Sequence, residues 1–233
     1  MWRIRKTAAA WALGLAVLLS CGTAAAAQKG AMGAEELLQM AVKKAHATDP
    51  SAYLVRVAYD GGTRDLTFAG GSFTFFSPKK EAAHEESKCY RLDFANGRYL
   101  GMRESSYSRI RIEGVALTPE KAIEAAMRHE MGPWWRAHPR VKLRANLAPA
   151  EYMHRAPGFG DRSRKGVFVW ELRLDGPGLA EQLACYVEAK QEEFLGCKKI
   201  PVPRQYRHIT PQEAQKELER IMKSHPAGDQ TRR

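Results

Sequence analysis

The chain has 233 residues, 37 Lys and Arg against 26 Asp and Glu, a formal net charge of +11 and four cysteines. That length suits one large domain or two small ones, and the basic surplus favours an anionic partner. The cysteines form no C-x-x-C or C-x-x-C-H, so nothing supports a thioredoxin-like redox site, a zinc ribbon or a c-type haem.

Residues 1–27 read as a secretory signal. "MWRIRK" is a basic start, "TAAAWALGLAVLLS" an uncharged, largely apolar stretch, and "CGTAAAAQ" a run of small residues. The apolar stretch falls short of the roughly 20 residues of a membrane span. Two cleavage readings stay open. Ala25-Ala26-Ala27 is an A-x-A site that would release a periplasmic or secreted protein beginning at Gln28. "LLSC" resembles a bacterial lipobox, which would make Cys21 a lipidated anchor, the only expected link to a membrane. Removing Arg3, Arg5 and Lys6 leaves +8, and residues 128–165 alone hold a balance of +6. An exported protein seldom meets nucleic acid, so the expected anionic partner is a protein face, a lipid or a cell-wall polymer.

The elements follow in order. "AEELLQMAVKKAH" puts Leu37, Leu38, Ala41, Val42 and Ala45 on one helical face. Glu35 and Glu36 near its start and Lys43 and Lys44 near its end suit the helix dipole. "AYLVRVAY" and "SFTFF" read as strands, and "KKEAAHEES" as a polar excursion. "KCYRLDF" and "RYLGMRE" flank Asn96-Gly97, a two-residue hairpin turn, since both residues tolerate positive φ. "YSRIRIEG" is a further strand candidate. "TPEKAIEAAMRHE" then reads as a helix with Thr118 as N-cap and Pro119 in the first position. After "GPWW" come strand "RVKLRANL", a Gly/Pro/Arg-rich loop through residue 166, and "VFVWELRL", which alternates Phe168, Trp170, Leu172 and Leu174 against Val169, Glu171 and Arg173. "LACYVEA" and "EFLGCKKI" form a second hairpin around Lys190 to Glu192. "TPQEAQKELERIMKSH" reads as a C-terminal helix over 209–224 with Thr210 and Glu213 in capping-box spacing, and 225–233 as a tail.

Landmarks recur in order. Thr118-Pro119-x-x-Ala122 returns as Thr210-Pro211-x-x-Ala214, 92 residues on; Phe76 and Trp170 are 94 apart, Cys89 and Cys185 are 96 apart, and Tyr99-Leu100-Gly101 and Phe194-Leu195-Gly196 are 95 apart. This supports an internal duplication. The expected fold is α+β: two repeated units over 34–113 and 118–200, each a helix packed on an antiparallel sheet, plus the C-terminal helix. If 185–197 is a hairpin turning near Gln191, Cys185 and Cys197 sit nearly opposite and a disulfide between them is expected. Cys89 to Cys185 is the competing pairing.

The Thr-Pro-x-x-Ala helix start, the Trp strand and the Tyr strand that turns into an aromatic-Leu ending resemble the PepSY domain. The matching pieces are Thr118 to Ile123, Val169 to Leu172, Tyr186 to Ala189 and Phe194 to Gly196. In the first unit they are Phe75-Phe76, Tyr90 to Asp93 and Asn96 to Leu100. The resemblance spans roughly 34–199 and is one of apolar and turn positions. It implies a cystatin-like layer of helix on sheet. It also implies a non-enzymatic binding or regulatory module, since PepSY domains in propeptides of thermolysin-like peptidases bind and restrain the enzyme. The turn "KQEE" lacks the usual Asp or Gly, and the cysteines are additions. No peptidase domain follows, so a peptidase or other exported protein would be engaged in trans.

No motif points to catalysis or to a cofactor, and none is expected. His129 and His138 flank Trp134-Trp135, but there is no H-E-x-x-H, and zinc needs three or four convergent ligands. G-x-S-x-G, G-x-G-x-x-G and a P-loop are all missing. Cys89 reads more readily as a structural than as a nucleophilic cysteine. The second functional reading is an envelope ligand site for lipid, glycan or peptidoglycan fragments. It would be built on Trp134 and Trp135 with Arg136, Arg140, Arg155, Arg162 and Arg164, since Arg stacks on aromatic rings and forks to carboxylates. Core packing of the two indoles is the competing reading.

Overall fold

The computed structural model describes residues 30–107, 109–152 and 166–202. The expected signal over 1–27 with Cys21, the C-terminal helix over 209–224 and the tail lie outside those residues. The described chain is α+β: one large open antiparallel sheet with helices packed against it.

After the short β1 (Met32–Gly33), α1 (Ala34–Thr48) carries the expected apolar stripe, with Leu37, Leu38, Ala41 and Ala45 buried. It packs on β4 (Gly70–Phe76) and β5 (Cys89–Ala95). Before β4 come β2 (Tyr53–Gly62) and β3 (Thr67–Phe68), which pairs with β1; between β4 and β5 lies α2 (Pro78–Ala82). The polar excursion is thus partly helical, because Ser77 caps α2: its Oγ accepts the Lys80 N–H at 3.1 Å. The β5 strand turns through Asn96 and Gly97, with φ of 50° and 69°, into β6 (Arg98–Ser105), as the Asn-Gly pair predicts.

"YSRIRIEG" forms no strand. Its described part joins the sheet through isolated hydrogen bonds, such as the Ile112 N–H to the Leu54 carbonyl at 3.0 Å, and through cation-ring contacts such as Arg111 over Tyr53. The next helix is α3 (Glu120–Met127), which begins after Pro119 with no side-chain cap, so Thr118 does not serve as one. "GPWW" is helical rather than a break: it lies in α4 (Met131–Ala137). Pro133 falls in the first turn, where its missing N–H has no helical partner to lose. Then follow β7 (Lys142–Pro149), a 3-10 turn at Ala150–Tyr152, β8 (Phe168–Asp175), β9 (Glu181–Glu188) and β10 (Phe194–Pro201).

The eight long strands form a single sheet in the order β10-β9-β8-β7-β2-β4-β5-β6. Four strands run outward from the middle on each side in chain order, β3 being set apart with β1, and the two innermost, β2 and β7, pair antiparallel. Their register is reciprocal: Val57 faces Leu147 and Tyr59 faces Ala145 about a central Ala58–Asn146 pair. From that pair one row of facing residues crosses the whole sheet. It runs Ser72, Asp93 and Gly101 to one side and Glu171, Tyr186 and Gly196 to the other. Both ends of the row are glycines at register shifts, Gly101 with φ 155° and Gly196 with φ 130°. A left-handed backbone of this kind is open to glycine and strained for other residues.

This register sorts the sequence landmarks. Tyr99-Leu100-Gly101 and Phe194-Leu195-Gly196 do take matching places at the two bulges. Cys89 and Cys185 do not: Cys185 faces Leu172 as Leu92 faces Phe73, whereas Cys89 lies opposite Phe76 at the start of its strand. The two cysteines even face opposite sides of the sheet. Cys185 belongs to the core beneath the helices, while Cys89 packs with Val55 and Phe76 on the other face. Trp170 holds the place of Gly71, not of Phe76. The helix-side core is continuous across the β2–β7 seam, where Tyr59 meets Trp170 with centroids 6.3 Å apart.

Candidate functional site

Three surfaces offer functional chemistry. The first is the Trp-Arg region. Trp135 is 2% exposed and belongs to the core, and its carbonyl accepts a hydrogen bond from Arg64 at 2.6 Å. Trp134 is half-buried and stacks on His138 at 4.2 Å. The pattern that put an apolar face on the preceding helix also buries every fourth residue of α4, from Met131 to Trp135. The adjacent indoles therefore point to different environments and form no paired platform. Arg136 and Arg140 are exposed; Arg155, Arg162 and Arg164 lie outside the described residues. An apolar groove of about 400 Å³ next to Trp135 is lined by Leu66, Ile123 and Met127.

The cysteines behave as one of the two expected pairings. Cys185 and Cys197 face each other across β9 and β10 and form a disulfide. Cys89 is free and buried, and its Sγ lies 3.9 Å from the Tyr107 carbonyl. Burial pushes its thiol pKa up, against the weaker pull of that hydrogen bond and of Arg109. Such a thiol stays protonated and is a poor nucleophile. Among the described residues no group of three or more His, Cys, Asp or Glu could hold a metal ion, and no helix is long and apolar enough to cross a membrane.

The second surface is the edge strand β6. It carries an exposed apolar strip, with Leu100 66%, Met102 47% and Tyr99 37% exposed. Met102 faces Leu92 and Tyr99 faces Phe94, both on the helix side, where Lys44 of α1 lies 5.2 Å over the Tyr99 ring. On the other side Arg103 faces Arg91, and both lean on one carboxylate, Asp93, at 3.0 and 2.7 Å. No described strand pairs with the outer side of β6.

The third surface is a polar hollow of about 580 Å³ on the sheet face away from the helices. Its floor is made by the small side chains Ala58 and Ser72 in the central row, and its walls by Arg56, Asn146, Glu171 and Arg173. Alternation places these polar residues there, since their strand neighbours fill the core. The repeated pattern of apolar residues signalled the core but not this hollow, because polar side chains on strands look like any solvated surface.

No family model matches the chain, and no curated protein matches it. Two solved structures are similar. One is a putative lipoprotein from Clostridium difficile 630, at 14% identity and TM-score 0.41, covering 70% of this chain and 91% of that one. The other is the Bacillus megaterium YpeB C-terminal domain, at 12% identity and TM-score 0.25, covering 73% of this chain and 66% of that one.

Proposed function

We propose that this is an exported, non-enzymatic binding protein of the cell envelope. It consists of two duplicated PepSY-like units joined at the β2–β7 seam, and it engages another exported protein, a peptidase among the candidates, through the edge of β6. The observation that carries this reading is the eight-residue β6, which no described strand pairs on its outer side and on which Tyr99, Leu100 and Met102 are exposed. An extended segment can add to such an edge by main-chain hydrogen bonds, with pockets for alternate side chains giving selectivity. Here the helix side offers Tyr99 and Met102, and the other side offers Arg91 and Arg103 with one carboxylate between them. The matching partner segment alternates apolar and acidic residues. The matching glycine bulges and the reciprocal seam support the duplication. The signal pattern of residues 1–27 supports export, with Cys21 as the alternative anchor.

The test uses the protein as exported, with envelope extract passed over the wild type and over a Leu100→Lys/Met102→Lys double variant. A protein retained by the first and lost from the second, which also slows amide exchange in β6, supports the reading. Equal retention by both overturns it. A set of charge reversals at Arg136, Arg140, Arg155, Arg162 and Arg164 decides whether the Trp134 region takes an anionic envelope ligand instead.

A further inference from the structure

The polar hollow on the sheet face away from the helices has a charge that pairing within the sheet leaves over. Arg144 is spoken for: its Nε donates to Asp60 at 2.7 Å, and Asp175 lies 3.8 Å from its Nη2. Arg173 reaches Glu171 through Nη2 at 2.5 Å, yet its Nε is buried with no hydrogen-bond partner among the described residues. Such an orphan donor costs free energy and calls for an acceptor. Arg56 forms no ion pair among the described residues. Its Nε donates to the Asn146 Oδ1 at 3.1 Å, and its guanidinium carbon lies 5.4 Å from the Tyr107 ring centroid. These two contacts fix the plane of the guanidinium while leaving its terminal nitrogens uncommitted to any described acceptor.

The positions follow from the register. Asn146 sits at the centre of the sheet-crossing row, with Ala58 on one side and Glu171 on the other. Arg56 lies two residues before Ala58 on β2, and Arg173 two residues beyond Glu171 on β8. Each arginine reaches toward that row, Arg56 to Asn146 and Arg173 to Glu171. The small floor of Ala58 and Ser72 leaves room between them, and the volume is that of a small-molecule site.

We propose that this hollow binds a small molecule through a carboxylate, held by the Arg56 guanidinium with the Asn146 amide beside it, while Arg173 lines the other side of the floor. A planar fork matches a carboxylate with two parallel hydrogen bonds. The hollow is lined by Arg56, Arg91, Lys142, Arg144 and Arg173 against Asp60, Glu171 and Asp175, a surplus that suits an anion; the planar Arg56 fork and the nearby Glu171 carboxylate favour a monocarboxylate over phosphate. The hollow spans β2, β4, β5, β7 and β8 and shares with the β6 edge only Arg91, which the proposed contacts do not use.

The experiment titrates the full exported chain with N-acetylglycine, with its neutral counterpart N-acetylglycinamide and with inorganic phosphate, followed by amide NMR. Saturable shifts centred on Ala58, Ser72 and Asn146 are expected with N-acetylglycine. The amide should bind at least about tenfold more weakly, as should phosphate, and Arg56→Gln should lose about tenfold in affinity, the scale of a charge-assisted bidentate pair. Asn146→Ala is the second variant should Arg56→Gln fail to fold, and a smaller loss is expected there. Equal binding of N-acetylglycine and N-acetylglycinamide, equal binding of phosphate, unchanged affinity in the variants, or no saturable shift overturns the proposal.

Discussion

The two edges of the sheet are built to the same plan and finished differently. Each ends in an aromatic-Leu-Gly bulge at the outermost strand, Tyr99 to Gly101 on β6 and Phe194 to Gly196 on β10. On β10, α3 reaches over the strand, and the Cys185–Cys197 disulfide ties it to β9. The matching pair on the other side is Leu92 with Met102, a buried residue facing an exposed one. The cysteines therefore cross-link one edge at the place where the other sets a buried leucine against an exposed methionine. Both outermost strands lack a described partner on their outer side, but only β6 exposes Tyr99, Leu100 and Met102, and this ties the fold's asymmetry to the proposed function.

The largest effect should come where the halves meet. Trp170 is 1% exposed in the middle of the core and stacks on Tyr59 from the other half. Trp170→Ala should cost about 3–5 kcal/mol, as large-to-small core changes do. Because the seam is shared, the variant should still unfold in one transition, read by calorimetry and by denaturant titration. Two separate transitions would show that the halves are independent domains.

The staple should matter next. Replacing both Cys185 and Cys197 by Ala removes a cross-link between residues 12 apart in sequence, expected to cost about 2–3 kcal/mol through greater freedom of the unfolded chain. Hydrogen exchange should then rise in β10 toward the level of β6, which makes the two edges alike. Unchanged exchange in β10 would assign its protection to α3 rather than to the disulfide.

Much of this was legible in the sequence. Periodicity located α1 and α3, alternation located β8, and the Asn-Gly pair located the β5–β6 hairpin, because each is a local rule acting on neighbouring residues. The hairpin geometry offered the Cys185–Cys197 pairing that forms, but left Cys89–Cys185 as a competitor. Register was not legible. Cys89 and Cys185 look like one position written twice, yet the pleat sends them to opposite faces, and a one-residue slip suffices for that. Trp135 lies in the core rather than beside Trp134 at the surface for a related reason: consecutive residues on a helix point about 100° apart, so one indole can be core while its neighbour is not. The polar hollow needed five strands to be in place before its residues became neighbours.

The smallest expected effect concerns acid, and it should fall on one half first. Asp49 follows α1 and is 4% exposed. Its carboxylate accepts the Ser51 N–H at 2.9 Å, the Ser51 hydroxyl at 2.6 Å and the Ser77 hydroxyl at 2.5 Å, tying the end of α1 to the start of α2. Burial alone would raise its pKa, but the hydrogen bonds from Ser51 and Ser77 and from the Ser51 and Lys79 backbone outweigh it and hold the carboxyl below its usual value. A depressed folded-state pKa means the unfolded chain binds the proton first as pH drops. The stabilisation is therefore fully present above the unfolded value near 4 and is lost as pH falls through the lower folded value. Asp49→Asn should remove about 1–2 kcal/mol at neutral pH, the scale of hydrogen bonds to a charged group, and flatten the acid limb of the stability curve. The second half has no counterpart, since α3 passes almost directly into α4. Acid should thus raise exchange at the end of α1 and in α2 before it does so in α3, and equal loss in both halves would refute this assignment.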